Sequence, residues 1–385
     1  MTRNTRCAFL KVDSLRLFIF VVVLVILIAL RDLFKANLCT MFDFLDSMKL
    51  FSMIMWVLLV GLLWGCQLEN ELPELPLEHR QTNWMDVLHD LPMDKNRAKQ
   101  LDHLIDADSV FWAHWSEDIL QLGSAADTNT VDVVHRFMTE MEPMLLAIDT
   151  TSGSTLALQR QSDMLMQGFR RWLQLSPSAE IPDVIWMPSG FNFAVYPGDT
   201  WLAIGLDWFM GAEHSLYREL PPSKFPTYRL ARMKIEWMAT DAFKGWFAVH
   251  HQSMIPNSPS TSDMWLYWGK VMSLTAQCFP EASPAQLMNW TEKEWAWAIE
   301  HEQAIWREMQ PQDQLFSKNP RDIMRWFQEG PFTRVGRIPQ ESPDRLGVFL
   351  GWRAVEAARA QHPEWEPHAL VQMMEVEPFL QAYRP

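Results

Sequence analysis

The chain has 385 residues, 48% of them hydrophobic, and carries 33 Lys and Arg against 47 Asp and Glu, a net charge of −14. That balance argues against a nucleic-acid partner and against electrostatic adhesion to anionic lipid. The acidic residues are scattered rather than blocked, which reads as a solvated surface.

The N-terminal residues contain an uncharged apolar run, Leu17 to Leu30, well short of the ~20 residues a spanning helix needs. Residues 1–47 are either an N-terminal extension or a misplaced start. A start at Met48 is favoured, because it alone gives a compact export signal. Met48 and Lys49 lead an apolar run from Leu50 that ends in Leu63-Trp64-Gly65-Cys66. A positive end, an apolar core and a small residue before the cleavage point make an export signal. A cysteine directly after the small residue makes residues 48–65 look like a bacterial lipoprotein signal. In such signals the thiol is fatty-acylated, typically with palmitate, and becomes the new N-terminus. Cys66 is therefore the predicted lipid attachment residue. The bland alternative, a short buried helix ending in cysteine, fits poorly with the polar Gln67-Leu-Glu-Asn-Glu that follows.

Residues 66–83 combine Pro73 and Pro76 with glutamates from Glu69 to Glu78 and offer little to bury, so they read as a flexible tether. Of the four cysteines, Cys7 and Cys39 precede the cleavage point and Cys66 is the anchor. Only Cys278 remains, and one cysteine makes no internal disulfide. Stability must come from a core fed by 20 Trp, 22 Phe and 24 Met.

Helical spacing dominates from residue 84 onward. Val131, Val134, Met138 and Met141 share one face of a helix that Pro143 closes. Phe191–Tyr196 and Trp201–Leu206 are β-compatible runs separated by Pro197-Gly-Asp-Thr, which predicts a hairpin. Asp183–Met187 is a third candidate strand of the same small antiparallel sheet. Ile235, Met238, Ala242, Trp246 and Val249 form one apolar helical face, and Trp265, Trp268, Met272, Thr275 and Phe279 another. Thr291-Glu-Lys-Glu294 is a capping box, opening a helix with Trp295, Ile299, Trp306 and Met309 inward. Ser342-Pro-Asp-Arg reads as a further start with Ser at the N-cap and Pro at the first position. Its helix runs to Pro363, and Gly347 and Gly351, four apart, permit close approach of another helix.

Four constellations offer chemistry. His301-Glu302 opens a zinc-peptidase pattern, but Ile305 stands where the second imidazole should be. His250 and His251 are adjacent, about 100° apart on a helix, which disfavours joint chelation. Asp207, Glu213 and His214 follow the second strand in a loop, where catalytic groups and loop caps both occur. Tyr267-Trp-Gly-Lys270 places one cation among aromatics, ordinarily by snorkelling. None assembles into a nucleophile set, and no Gly-rich phosphate loop occurs. The expectation is no catalytic residue, no metal site and no cofactor.

Several runs together resemble the gliding-motility lipoproteins of the GldB family. They are Ile204–Gly211, Leu220-Pro, Tyr228-Arg, Tyr267–Met272, Trp290–Trp295, Glu302–Trp306, Pro331-Phe and Glu341–Val355, with a Tyr383-Arg-Pro385 ending. The most specific is Ser342-Pro-x-Arg-x-Gly-x-x-x-Gly-Trp352. The resemblance implies an envelope lipoprotein linked to surface motility and to the secretion machinery that delivers its adhesins. It also implies a fold distantly like the zinc peptidases but without their metal motif. The expected architecture is a mostly helical α+β domain over residues 84–385, with the anchored chain facing the periplasm. Its expected partners are membrane lipid, through Cys66, and other gliding or secretion proteins. A zinc-dependent peptidase-like envelope enzyme is the alternative.

Overall fold

A computed structural model of the chain describes residues 80–88, 97–124, 127, 129–152 and 155–385. Cys66, the signal over 48–65, residues 1–47 and the tether up to residue 79 lie outside the described residues.

Apolar stripes at helical spacing set most of the architecture. Helices α1 (Arg97–Ala107), α2 (Ser109–Ala113), α3 (Thr130–Glu140), α4 (Glu142–Thr150) and α5 (Thr155–Leu175) precede the main part of the sheet, with a π-turn at His114–Ile119. On α3 the predicted stripe is real: Val134 and Met138 are fully buried. Pro143 ends that helix by opening the next, sitting in the first turn of α4, where its missing N–H costs nothing.

The sheet has four strands, β1 (Gln81–Asn83), β2 (Asp183–Met187), β3 (Val195–Pro197) and β4 (Trp201–Gly205), in the order β1-β2-β4-β3. The predicted hairpin is present as the antiparallel pair β3–β4. The rest departs from an antiparallel sheet. Strand β2 pairs with β4 in parallel, Val184 opposite Leu202 and Trp186 opposite Ile204, and β1 joins β2 in parallel. The sequence carries the physical mark of this pairing. Val-Ile-Trp-Met and Trp-Leu-Ala-Ile are unbroken apolar runs, as expected of parallel strands covered on both faces, and all their residues are buried. Strand β1 also takes the last residues of the predicted tether into the domain. Polar Gln-Thr-Asn gives no strand signal; its place is fixed by Arg80, whose backbone N–H donates to Asp183 Oδ1 at 2.7 Å.

The C-terminal half is helical: α6 (Met238–His250), α7 (Thr261–Cys278), α8 (Pro284–Met288), α9 (Glu292–Glu300), α10 (Glu302–Met309), α11 (Gln312–Leu315), α12 (Pro320–Phe327), α13 (Leu346–Gln361), α14 (Pro367–Gln372) and α15 (Glu377–Ala382). On α6, Met238, Ala242 and Trp246 point inward, whereas Val249 is 42% exposed because the helix ends one residue later. Helix α7 is buried nearly all round, the state of a central helix rather than an amphipathic one. The capping box at Thr291 forms: Thr291 N–H donates to Glu294 Oε2 at 2.7 Å and Glu294 N–H to Thr291 Oγ1 at 3.2 Å. Its helix then breaks at His301, so α9 and α10 are separate. Ile299, at the end of the first piece, is 39% exposed, while Ile305, Trp306 and Met309 of the second are buried.

Helices α7 and α13 meet through glycine. A methyl group on Gly269 would lie 2.3 Å from the Gly351 carbonyl oxygen, and one on Gly351 would lie 2.1 Å from the Trp265 carbonyl oxygen. Gly347 does the same service for the Phe327 ring. The expected glycine pair is thus a seam, and its partner is Gly269.

Candidate functional site

The predicted start of α13 does not form as expected. The helix begins at Leu346, and Arg345 before it is held in the left-handed region at φ 53°. Ser342 makes no cap; its buried hydroxyl has no partner among the described residues. Asp344 has turned away from the helix into a fully buried hub. Its Oδ2 accepts from Arg232 Nη1 at 2.7 Å and from Gly330 N–H at 2.9 Å. Its Oδ1 accepts from Arg232 Nη2 at 2.9 Å, Trp290 Nε1 at 3.0 Å and Arg345 Nε at 3.3 Å. Burial by itself would raise this carboxyl, but the Arg345 and Arg232 guanidiniums outweigh it and hold it at about 2.

Around the hub the turn between α8 and α9 is gripped from two sides. Arg345 Nη2 donates to Met288 O at 2.6 Å. Lys244, from α6, donates to Leu287 O at 2.7 Å and Asn289 Oδ1 at 2.9 Å, with Asp241 Oδ1 2.9 Å away. Asn289 itself is left-handed at φ 54° and donates its amide to Asp241 Oδ2 at 2.8 Å. Two non-glycine residues held in this costly region persist only where surroundings over-determine them. The loop ahead of α13 is sewn shut in the same way: Thr333 N–H and Oγ1 both donate to Pro343 O at 3.0 Å.

The chemistry of such a cluster is holding. A carboxylate has about four lone-pair sites, and Asp344 faces five donors, so at neutral pH its lone pairs are fully engaged by the protein. Lys244 donates to two oxygens and forms an ion pair with Asp241. The cluster fastens four stretches of chain, near residues 232, 290, 330 and 344, that are far apart in sequence. The resemblance runs at Tyr228-Arg, Trp290, Pro331-Phe and Ser342-Pro-Asp-Arg all adjoin or include these stretches. Sequence reading missed Arg232, Trp290 and Asn289 as members of one site; the convergence of those runs was the available signal.

The other constellations stay apart. Three candidate imidazoles close helix ends by facing the carbonyl four residues earlier: His250 to Trp246, His251 to Phe247 and His301 to Trp297, at 2.8–3.0 Å, while the fourth, His214, accepts from Leu216 N–H at 3.3 Å. His251 and His301 also stack on Phe247 and Trp297. Glu302 is bonded elsewhere, accepting from Tyr383 Oη at 2.8 Å and Arg353 Nε at 3.1 Å. Asp207 does not join Glu213 or His214. It is a fully buried staple, accepting from Ser189 N–H at 2.7 Å, Ser189 Oγ at 2.9 Å and Phe191 N–H, which ties the β2–β3 connection to the end of β4. Burial pushes its carboxyl up, and these bonds pull against that. Lys270 does not snorkel: it is 1% exposed and donates to Met373 O at 2.7 Å, and burial brings its ammonium down to about 8. Cys278 is buried and free, its thiol pushed up by burial. Among the described residues, no group of three or more His, Cys, Asp or Glu is placed to hold a metal ion, and no helix is long and apolar enough to cross a membrane.

A family model described as gliding motility protein GldB matches residues 66–385. Comparison with curated proteins gives no match, and comparison with solved structures gives none either.

Proposed function

The chain belongs to the gliding motility protein GldB family, and on that premise we propose that it works by contact, as a lipid-anchored, non-catalytic component of the gliding apparatus and its associated secretion system. Acylated Cys66 would hold it at a membrane of the cell envelope, with the domain in the periplasm. The observation that supports this reading is the hub at Asp344: the runs that mark the family converge on a buried carboxylate whose two oxygens are both spent on holding the fold. A domain pinned by such a hub suits a docking component, because a surface that does not rearrange loses little entropy on binding. The match beginning at residue 66 agrees with the cleavage point inferred from the Leu63–Cys66 box.

The test is Cys66→Ser in the full chain with fatty-acid labelling. The expected outcome is loss of label and release from, or faulty processing at, the membrane; a variant that still labels and stays membrane-bound overturns the anchor. The contact role is tested separately by replacing His250, His251 and His301 with Ala, which should leave motility or secretion largely intact. Stoichiometric zinc in the purified protein, with activity lost on chelation, would instead establish the zinc-dependent peptidase.

A further inference from the structure

We propose that the surface over residues 316–325 is a second membrane contact, one that lies on anionic lipid headgroups while the lipid at Cys66 holds the chain nearby. This rests on the anchor reading above. The patch combines two features that are seldom exposed together. Phe316 is 50% exposed and Met324 56% exposed, and Lys318, Arg321 and Arg325 are exposed beside them in the chain. Helix α12 is strongly two-sided. Arg321, Met324 and Arg325 fall at i, i+3 and i+4 on its solvent face, while Trp326 is buried on the other and Phe327 packs against Gly347. Lys318 and Arg321 have no carboxylate partner among the described residues. Arg325 has only a loose one, Asp322 at 3.8 Å, which also accepts from Ser317 Oγ at 3.2 Å.

Exposed apolar side chains interspersed in the chain with cations fit an anionic bilayer surface: the side chains enter the headgroup region and the charges meet phosphates. The opposing charges nearby are Asp313 on α11, which is exposed, and Glu329, whose carboxylate is 3.6 Å from Arg229. The net charge of −14 argued against adhesion as a whole-chain property. A patch acts within a Debye length, about 8 Å at physiological salt, so its local composition governs. The anchor makes the contact effective. With the chain held by lipid at Cys66, contact of the patch with the same membrane is an intramolecular event.

The experiment uses the full acylated chain on vesicles of phosphatidylcholine alone or with phosphatidylglycerol, reading amide hydrogen exchange and flotation together. Exchange over residues 316–325 should slow only on the anionic vesicles. Raised salt or the triple variant K318Q/R321Q/R325Q should abolish that protection while flotation persists. At about fivefold per cation lost, the triple change should weaken contact by roughly a hundredfold. Met324→Ser should reduce protection without changing the salt response. Protein that floats but exchanges alike on both vesicles overturns the proposal, as does protection surviving the triple variant or arising only when envelope proteins are added. Protein that fails to float on neutral vesicles speaks against the anchor instead. In that protein, protection on phosphatidylglycerol still supports the patch, and its absence overturns it.

Discussion

Asp344 shows how much one side chain can hold. With two arginines bound to it inside the protein, removing its charge leaves two guanidiniums uncompensated, a change that costs about 3–5 kcal/mol. Asp344→Asn should therefore lower the urea midpoint sharply at pH 7. The wild-type carboxyl is held at about 2, below the ordinary ~3.9 of an unfolded chain. Its contribution is complete above pH 4 and is lost as pH falls toward 2, roughly 2 kcal/mol in all. The gap between wild-type and variant stability should be constant above pH 4 and narrow as pH falls from 4 toward 2; a gap that stays unchanged across that window would sink the assignment. Lys270 makes the opposite case. Its ammonium is brought down to about 8 from 10.5 by burial, so the folded state resists the charged form. That penalty, roughly 3 kcal/mol, stands in full below pH 8 and fades as pH rises toward 10.5. Lys270→Met should stabilise the protein at pH 7, less whatever the lost bond to Met373 O contributed. The advantage should shrink steadily between pH 8 and 10.5, and a constant advantage would show that the lysine is not held down by burial.

At the scale of elements, the α7–α13 seam is the packing decision on which the C-terminal half turns. Gly269 and Gly351 face one another so closely that a methyl group at either meets backbone rather than a yielding side chain. Overpacking of this kind costs about 1–3 kcal/mol, and more where backbone must move. Gly351→Ala should thus destabilise although alanine is the better helix former; an unchanged or raised melting temperature would mean the helices can part freely. The sequence made Gly347 and Gly351 visible as a pair because spacing on one helix is local. It did not show Gly269, since the register between two helices is set by everything packed around them. The capping box at Thr291 was legible for the same local reason: its bonds span three residues. The helix start at Ser342 was misread because Asp344 has a stronger use elsewhere. Two guanidiniums 112 residues away and next door outcompete the amides of a first turn.

For the whole molecule, the proposed export signal and the domain follow separate rules, and each can be checked on its own. A chain beginning at Met48 should be processed to the same mature protein as the full reading frame, because the compact signal lies entirely after that residue. Mature proteins of different mass, or a peptide from residues 13–31 recovered from the envelope, would show that the first 47 residues are translated and retained.

What the sequence determined by itself was whatever depends on neighbours in the chain: the helical stripes on α3 and α6, the β3–β4 hairpin, the capping box and the family. The tertiary structure alone decided the parallel pairing of β2 with β4, the burial of Lys270, the capture of polar β1 as an edge strand, and the hub that joins Arg232, Trp290, Gly330 and Asp344. The reason lies in what sets each energy. Spacing and capping are fixed by contacts three or four residues apart, which composition encodes directly. A buried carboxylate takes its partners from whichever donors the completed fold brings within 3 Å, and no local pattern specifies which those will be.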